Sequence, residues 1–366
     1  MITQLSDQEL EIYSRQIALE DIDYEGQLKI RNGRACLIGM GGLGSLIAFK
    51  LVAMGIGSLR MIDRDVVSRS DLHRQYLYDV DCLGLPKVEA AAKKLARLNP
   101  DVELEPVPAS FSTGNAEELI TGADVVLDGL DRPEPRYILN RTCNRLKIPY
   151  VFGAAIMTYG NVTTILPGQT ICLECFMPGL KDEDLPQCAV VGVHPATLGI
   201  VTALQTYEGV RILTGQEPKL VNRLMFVDLS RMKFHSLSID KRESCLVCGQ
   251  EPEGSPKRLE DRYVEETCAR DGRRNFIISP KQRTEINLDD LRGILQEQGV
   301  EIKASGALGI TFERGDGVAF SILKDGTMVA QTPPRDSGDP RKKILESYRS
   351  ILGEGLGLPF DLLPEE

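Results

Sequence analysis

A chain of 366 residues, 42% hydrophobic and 26% charged with no low-complexity tract, can bury sizeable cores and needs no disulfide or metal merely to fold. A net charge of −10 excludes the broad basic footprint of a general nucleic-acid binder and gives no attraction to anionic membranes. Nine cysteines behind a polar start without an export signal predict reduced thiols, metal ligation or catalysis in a cytoplasmic setting. The most apolar stretch, 43–59, is Gly-rich and interrupted by Lys50, so it predicts no membrane span.

In chain order the first element is a helix. Ser6 and Glu9 have capping-box spacing, and Leu10, Tyr13, Ile17 and Leu19 recur at roughly helical intervals. A βαβ unit follows: a short buried strand at 35–38, a glycine turn at 39–44, a helix at 43–54 with Gly55 as its C-cap, and a strand at 59–62. Helices at 85–98, 116–121 and 136–146 then alternate with strands at 102–107, 125–128 and 149–153. Such alternation predicts an α/β fold, a doubly wound Rossmann-like sheet, mostly parallel, with helices on both faces.

From Asn161 the texture turns β-rich, with strands at 162–166, 224–229 and 233–239 around one apolar helix at 196–213. This reads as the second half of the same domain, 1–249. Residues 250–262 are polar with two prolines and read as a linker. Residues 263–366 read as a small α+β domain: a strand at 276–278, a helix at 288–298, Gly-rich strands and a last helix at 344–352. Asp325-Gly326 forms a two-residue turn between strands at 318–323 and 328–331.

Gly39-Met40-Gly41-Gly42-Leu43-Gly44 fits G-x-G-x-x-G between a strand and a helix. Glycines let the backbone approach a phosphate, and the helix N-terminus offers free N–H groups with positive dipole character. Asp63 ends the next strand, where a carboxylate accepts from ribose hydroxyls. A nicotinamide-dependent oxidoreductase and a ligand-free packing turn share this local pattern. Cys172-Leu173-Glu174-Cys175 and Cys245-Leu246-Val247-Cys248 form two C-x-x-C knuckles. Four thiolates suit a closed tetrahedral zinc site, and two such pairs favour metal over a redox dithiol.

Further elements narrow the choice. Asp63-Arg64-Asp65-Val66-Val67 runs into Ser70-Asp71-Leu72-His73-Arg74-Gln75 and then Gly84-Leu85-Pro86-Lys87. Tyr13-Ser14-Arg15-Gln16 lies upstream; Asp128-Gly129-Leu130-Asp131, Arg136 and Asn140 lie downstream. Together they resemble the ThiF/MoeB/HesA family, relatives of ubiquitin-activating enzymes, over residues 5–250. The resemblance implies ATP-dependent adenylation of the C-terminal carboxylate of a ubiquitin-like or sulfur-carrier protein ending in Gly-Gly. It implies Arg74 and Lys87 on the phosphates with Gln75 assisting, Asp63 on the ribose, Asp131 on Mg²⁺, and Arg15 reaching into the other subunit of a homodimer. A structural zinc on Cys172, Cys175, Cys245 and Cys248 is implied too.

Asp71 stands where the family commonly has Asn, and Arg132 replaces the Asn that commonly follows the second Asp. Cys188, in the polar stretch 184–189, is either an acyl- or persulfide-transfer thiol or a bystander. Cys36, Cys82, Cys143 and Cys268 read as incidental thiols, His194 and His235 as structural, and His73 as a neighbour of the ligand. A catalytically idle zinc scaffold that binds a ubiquitin-like partner is the remaining alternative. The final domain resembles, in fragments only, a tail of some family members; docking a substrate and packing a dimer both fit it.

Overall fold

A computed structural model describes residues 2–182, 191–250, 255, 257–268, 273–333 and 339–365. The chain opens with α1 (Asp7–Ile12), α2 (Ser14–Ile17) and α3 (Asp23–Asn32). The Ser6–Glu9 capping box forms, but the helix expected to run on to Leu19 breaks at Tyr13. That ring is buried: its hydroxyl accepts from Asn99 at 2.7 Å, and Gly55 (φ +79°) lies against it. Leu10 and Leu19 are exposed instead of packed.

There follow β1 (Arg34–Ile38), α4 (Gly44–Ala53), β2 (Ser58–Ile62), α5 (Lys87–Leu98), β3 (Glu103–Val107), α6 (Ala116–Ile120), β4 (Val125–Asp128), α7 (Pro133–Leu146), β5 (Tyr150–Ile156), β6 (Tyr159–Ile165), α8 (Leu173–Phe176), α9 (Pro195–Thr214), β7 (Arg223–Asp228) and β8 (Lys233–Ser238). They build one sheet in the order β3-β2-β1-β4-β5-β6-β7-β8, parallel from β3 to β5 and antiparallel from β5 to β8. Both faces of β1 are covered, which is why its sequence is a continuous apolar run. Ala35 and Leu37 pack with Ile47, Leu51, Val88 and Leu95 on one face, Cys36 and Ile38 with Val126, Leu139 and Tyr150 on the other.

A second sheet comprises β9 (Val264–Cys268), β10 (Arg274–Ile278), β11 (Glu301–Ser305), β12 (Gly309–Glu313), β13 (Ala319–Leu323) and β14 (Met328–Gln331), antiparallel in the order β11-β12-β13-β14-β10-β9. Helices α10 (Leu288–Glu297) and α11 (Pro340–Arg349) supply Leu291, Leu295, Ile344 and Tyr348 to a separate core around Phe276, Phe312 and Phe320. The sheet docks on the first: buried Glu89 of α5 accepts the N–H groups of Ala307 and Leu308 at 3.0 and 2.8 Å, and Thr311 Oγ1 donates to the Gly84 carbonyl at 2.6 Å. Residues 257–262 run along the first unit, where Asp261 accepts from Thr113 N at 2.7 Å. Among the described residues no helix is long and apolar enough to cross a membrane.

Candidate nucleotide site and cysteine cluster

The carboxyl ends of β2, β1 and β4 lie side by side, and the glycine turn leaves β1 between its neighbours: Gly39 N donates to Ile62 O and Gly129 N to Ile38 O, both at 2.8 Å. The four glycines serve different ends. At Gly39 (φ +91°) a Cβ would sit 2.6 Å from the Gly129 carbonyl, and at Gly44 1.8 Å from the Gly39 carbonyl, so these two let strand, turn and helix close on one another. A Cβ on Gly42 would meet Leu198 at 2.8 Å. Over Gly41 there is only Gln75 Nε2, at 3.9 Å, leaving an open backbone surface beside the N-terminus of α4. That is the cradle a phosphate requires.

Asp63 is held from two sides: Oδ2 accepts from Met40 N at 2.5 Å and Oδ1 from Asp65 N at 2.6 Å. Burial and the Asp65 charge push its carboxyl up to about 6. The Tyr78 hydroxyl donates to Met40 O at 2.8 Å and braces the same turn. Buried Asp71 collects the cationic side: it accepts from Gln75 Nε2 at 2.8 Å and Arg74 Nη2 at 3.2 Å, and lies 3.8 Å from Lys87 Nζ. The Gln75 Oε1 is buried with no partner among the described residues, an acceptor still to be satisfied.

Lys87 begins α5, two residues later than expected because Leu85 and Pro86 stay outside the helix. Its Nζ donates to Asp65 Oδ2 at 3.1 Å. Burial alone would push this ammonium down, but Asp65, Asp71 and Asp63 outweigh it and hold it charged, above the ordinary lysine range. Asp65, although burial opposes it, is held below the usual carboxylate range by Lys87 and Arg64. Cations and carboxylates here keep one another ionised.

The loop after β4 hangs on buried Asp128, whose carboxylate accepts from Leu130 N at 2.8 Å, Arg136 Nε at 3.0 Å and the Tyr150 hydroxyl at 2.6 Å. So anchored, the loop packs on Gly39 and leaves Asp131 exposed. Asn140 Oδ1 accepts from Leu173 N at 3.0 Å, tying α7 to the first knuckle. Arg15 stands apart, exposed on α2, and its side chain makes no hydrogen bond or ion pair with the described residues. His73 is exposed beside Arg74, and His194 caps α9 by accepting from Ala196 N at 3.1 Å. Cys188 lies outside the described residues.

The four knuckle cysteines converge with all their sulfurs within 4.8 Å of one another; Cys172–Cys245 is 3.7 Å and Cys175–Cys248 is 3.4 Å. Thiolates tetrahedrally bound to zinc at about 2.3 Å stand about 3.8 Å apart, so the set fits that ion, and it is far wider than a disulfide. Three are buried and Cys248 half-buried, so the set is closed and structural in type. Cys36, Cys82 and Cys143 are buried elsewhere, and burial pushes the Cys36 thiol up to about 12.

A family model described as the ThiF family matches residues 13–247. This chain belongs to the ThiF family. The ThiF-family match stops before the second sheet begins. The "SAMP-activating enzyme E1" of Haloferax volcanii is 37% identical over 270 residues, 74% of this chain and 98% of that protein. The "Molybdopterin-synthase adenylyltransferase" of Escherichia coli K12 is 35% identical over 251 residues, 68% of this chain and all (100%) of that protein. The "Adenylyltransferase and sulfurtransferase MOCS3" of Drosophila ananassae is 37% identical over 252 residues, and the chain spans 56% of its length. A crystal structure of E. coli MccB with MccA-N7isoASN shares the fold at TM-score 0.59 and 21% identity, over 65% of this chain and 75% of that one.

Sequence reasoning assigned no role to Asp65, Asp128 or Tyr78. The first two stand inside quoted motifs, and their spacing to Lys87 and Arg136 was the available signal. Tyr78 carried none. Glu265 lies in the 263–366 stretch read as a small α+β domain, ahead of its first expected strand at 276–278.

Proposed function

We propose that the chain is an ATP-dependent adenylyltransferase acting on the C-terminal carboxylate of a ubiquitin-like or sulfur-carrier protein ending in Gly-Gly. The observation that carries this reading is the cluster of Lys87, Arg74 and Gln75 on Asp71 and Asp65, with Gln75 Nε2 over the open backbone of Gly41. Nicotinamide chemistry would leave these cations without a task.

A carboxylate is a poor electrophile at neutral pH. In the reaction one of its oxygens attacks the α-phosphorus of ATP, the bond to the bridging oxygen breaks, and pyrophosphate departs with that electron pair. No proton need move, so the protein's work is positioning and charge stabilisation. The phosphates lie over Gly41 and the start of α4, and Asp63 accepts from the ribose. Arg74 and Lys87 oppose charge on the phosphates, exchanging Asp71 and Asp65 for them, and Gln75 offers its amide. Asp131 holds Mg²⁺, which neutralises charge on the phosphates when bound. Asp71 suits this site despite its charge, because it orients Gln75 and Arg74.

Arg15, exposed and without a side-chain partner among the described residues, serves the neighbouring subunit of a homodimer. Cys172, Cys175, Cys245 and Cys248 would hold a structural zinc that ties residues 172–175 to 245–248. Tyr159, Phe226 and Leu237 line an exposed groove on β6–β8 that suits a protein partner. With this reading go an adenylation domain at 1–249, a linker at 250–262 and an α+β domain at 263–366, in a cytoplasmic protein with reduced thiols. Sulfur transfer or conjugation follows, with Cys188 as the candidate thiol.

The test is transfer of label. With a Gly-Gly-ended carrier and ATP labelled at the α-phosphate, the label should appear on the carrier and leave as AMP on treatment with hydroxylamine. A folded, zinc-loaded chain that never labels any ubiquitin-like carrier would refute the reading.

A further inference from the structure

Arginines follow both ligand-facing carboxylates: Arg64 is next to Asp63, and Arg132 is next to Asp131. Both side chains run to one carboxylate, Glu265 on β9 of the second sheet. Arg64 Nη1 and Nη2 donate to its Oε1 and Oε2 at 2.6 and 2.8 Å, and Arg132 Nη1 donates to Oε2 at 2.5 Å. Arg132 also lies 3.4 Å from Asp182. The three groups are 17, 22 and 12% exposed, so the cluster is largely withdrawn from water. Burial opposes ionisation of Glu265, but the two guanidinium groups outweigh it and hold the carboxyl at about 2.

We infer that Glu265 is a positioning residue of the nucleotide site, contributed by the C-terminal sheet, which sets Asp63 and Asp131 by clamping their neighbours Arg64 and Arg132. The inference rests on the adenylation reading. Arg64 is gripped at both Nη atoms, Arg132 is held through Nη1 between Glu265 and Asp182, and each functional carboxylate is one peptide away. Displacements of about 1 Å in a reacting geometry cost large factors in rate, and outer-shell partners commonly matter 10- to 100-fold. Glu265 also neutralises two cations that would otherwise compete with Mg²⁺ and draw the phosphates aside.

Docking of the second sheet does not depend on this cluster. Glu89 holds Ala307 and Leu308, Thr311 holds Gly84, Ser110 pairs with Ser279 at 2.7 Å, and Arg283 pairs with Glu118. A positioning role and a merely adhesive one therefore make different predictions.

The experiment uses the full-length, zinc-loaded chain, with Mg·ATP affinity read by calorimetry and the Mg²⁺ dependence read in pyrophosphate exchange. Glu265→Gln should weaken Mg·ATP by about ten-fold and raise the Mg²⁺ needed for half-maximal exchange. Glu265→Asp should recover part of both losses, and Arg283→Ala, at the same interface, should leave them at wild-type values. If Glu265→Gln does not fold, Arg132→Asn, which leaves Arg64 on Glu265, should raise the Mg²⁺ requirement by a similar factor. Unchanged affinity in folded Glu265→Gln, or equal losses in Arg283→Ala, would reduce Glu265 to an adhesive contact. Tighter ATP binding would make it a blocker of the site and overturn the inference. A wild-type chain that binds no ATP would overturn the adenylation reading itself, and the inference with it.

Discussion

Lys87 and Asp63 show how single groups are tuned for a polyanionic ligand. Lys87 is buried among three carboxylates that keep it protonated, so its charge is present before ATP arrives. Replacing it with Ala should lower the adenylation rate by about 10²- to 10³-fold, the usual cost of one lost transition-state charge partner. Asp63 is the opposite case, a carboxylate pushed up to about 6 by burial and Asp65. Above that pH it is ionised and accepts from the ribose; below it the proton removes an acceptor. ATP affinity measured between pH 5 and 8, about one unit or more either side, should therefore fall as pH drops through about 6. Asp63→Asn should bind weakly and without that step. A wild-type curve as flat as the variant's would contradict the assignment. Asp63 was legible in the sequence because a strand end marks where a side chain meets a ligand, and Lys87 because its motif resembles that of the ThiF/MoeB/HesA family. Their tuning was not, since it depends on Asp65 and Asp71 meeting them in space.

At the scale of elements, strand, turn and helix were readable because the β1 run is apolar and the glycines interrupt it at fixed spacing. What spacing did not separate is which glycine serves the fold and which the ligand. Gly39→Ala meets the Gly129 carbonyl at positive φ and should destabilise the protein by about 1–3 kcal/mol, read by urea unfolding. Gly41→Val enters open space and should leave stability near wild type while abolishing ATP binding. The reverse pattern would mean the phosphate does not lie there. The knuckles were also legible, since two C-x-x-C pairs imply their own partnership. Cys175→Ser, or chelation, should release one zinc per chain and lower the melting temperature by about 10 °C. Helix α3 was missed because its residues are mostly polar, and it is held by contacts such as Gln27 Nε2 to Met54 O at 3.0 Å. The N-terminal helix was overextended because the burial of Tyr13 against Gly55 and Asn99 overrides local periodicity.

For the whole molecule, the parallel sheet was predictable from alternation, whereas the docking of the second sheet was not. β9 precedes the first strand expected in 263–366, at 276–278, and the partners of Glu265 lie 201 and 133 residues away. Pairings that distant leave no periodic trace. Glu265 is a depressed carboxylate, so its stabilisation is complete above its ordinary value of 4.5 and is lost as pH falls toward about 2. Glu265→Gln should be less stable than wild type by on the order of 2–3 kcal/mol at pH 7, with the gap narrowing below about pH 4.5 in urea titrations. A gap independent of pH would mean that the lost stability does not come from the charge of Glu265. The central claim, that these two sheets serve carboxylate adenylation, meets its most direct test in ATP–pyrophosphate exchange with and without a Gly-Gly-ended carrier. Carrier-dependent exchange that Lys87→Ala and Asp131→Ala both abolish is the predicted result; a folded, zinc-loaded dimer that shows no exchange with any such carrier would contradict it.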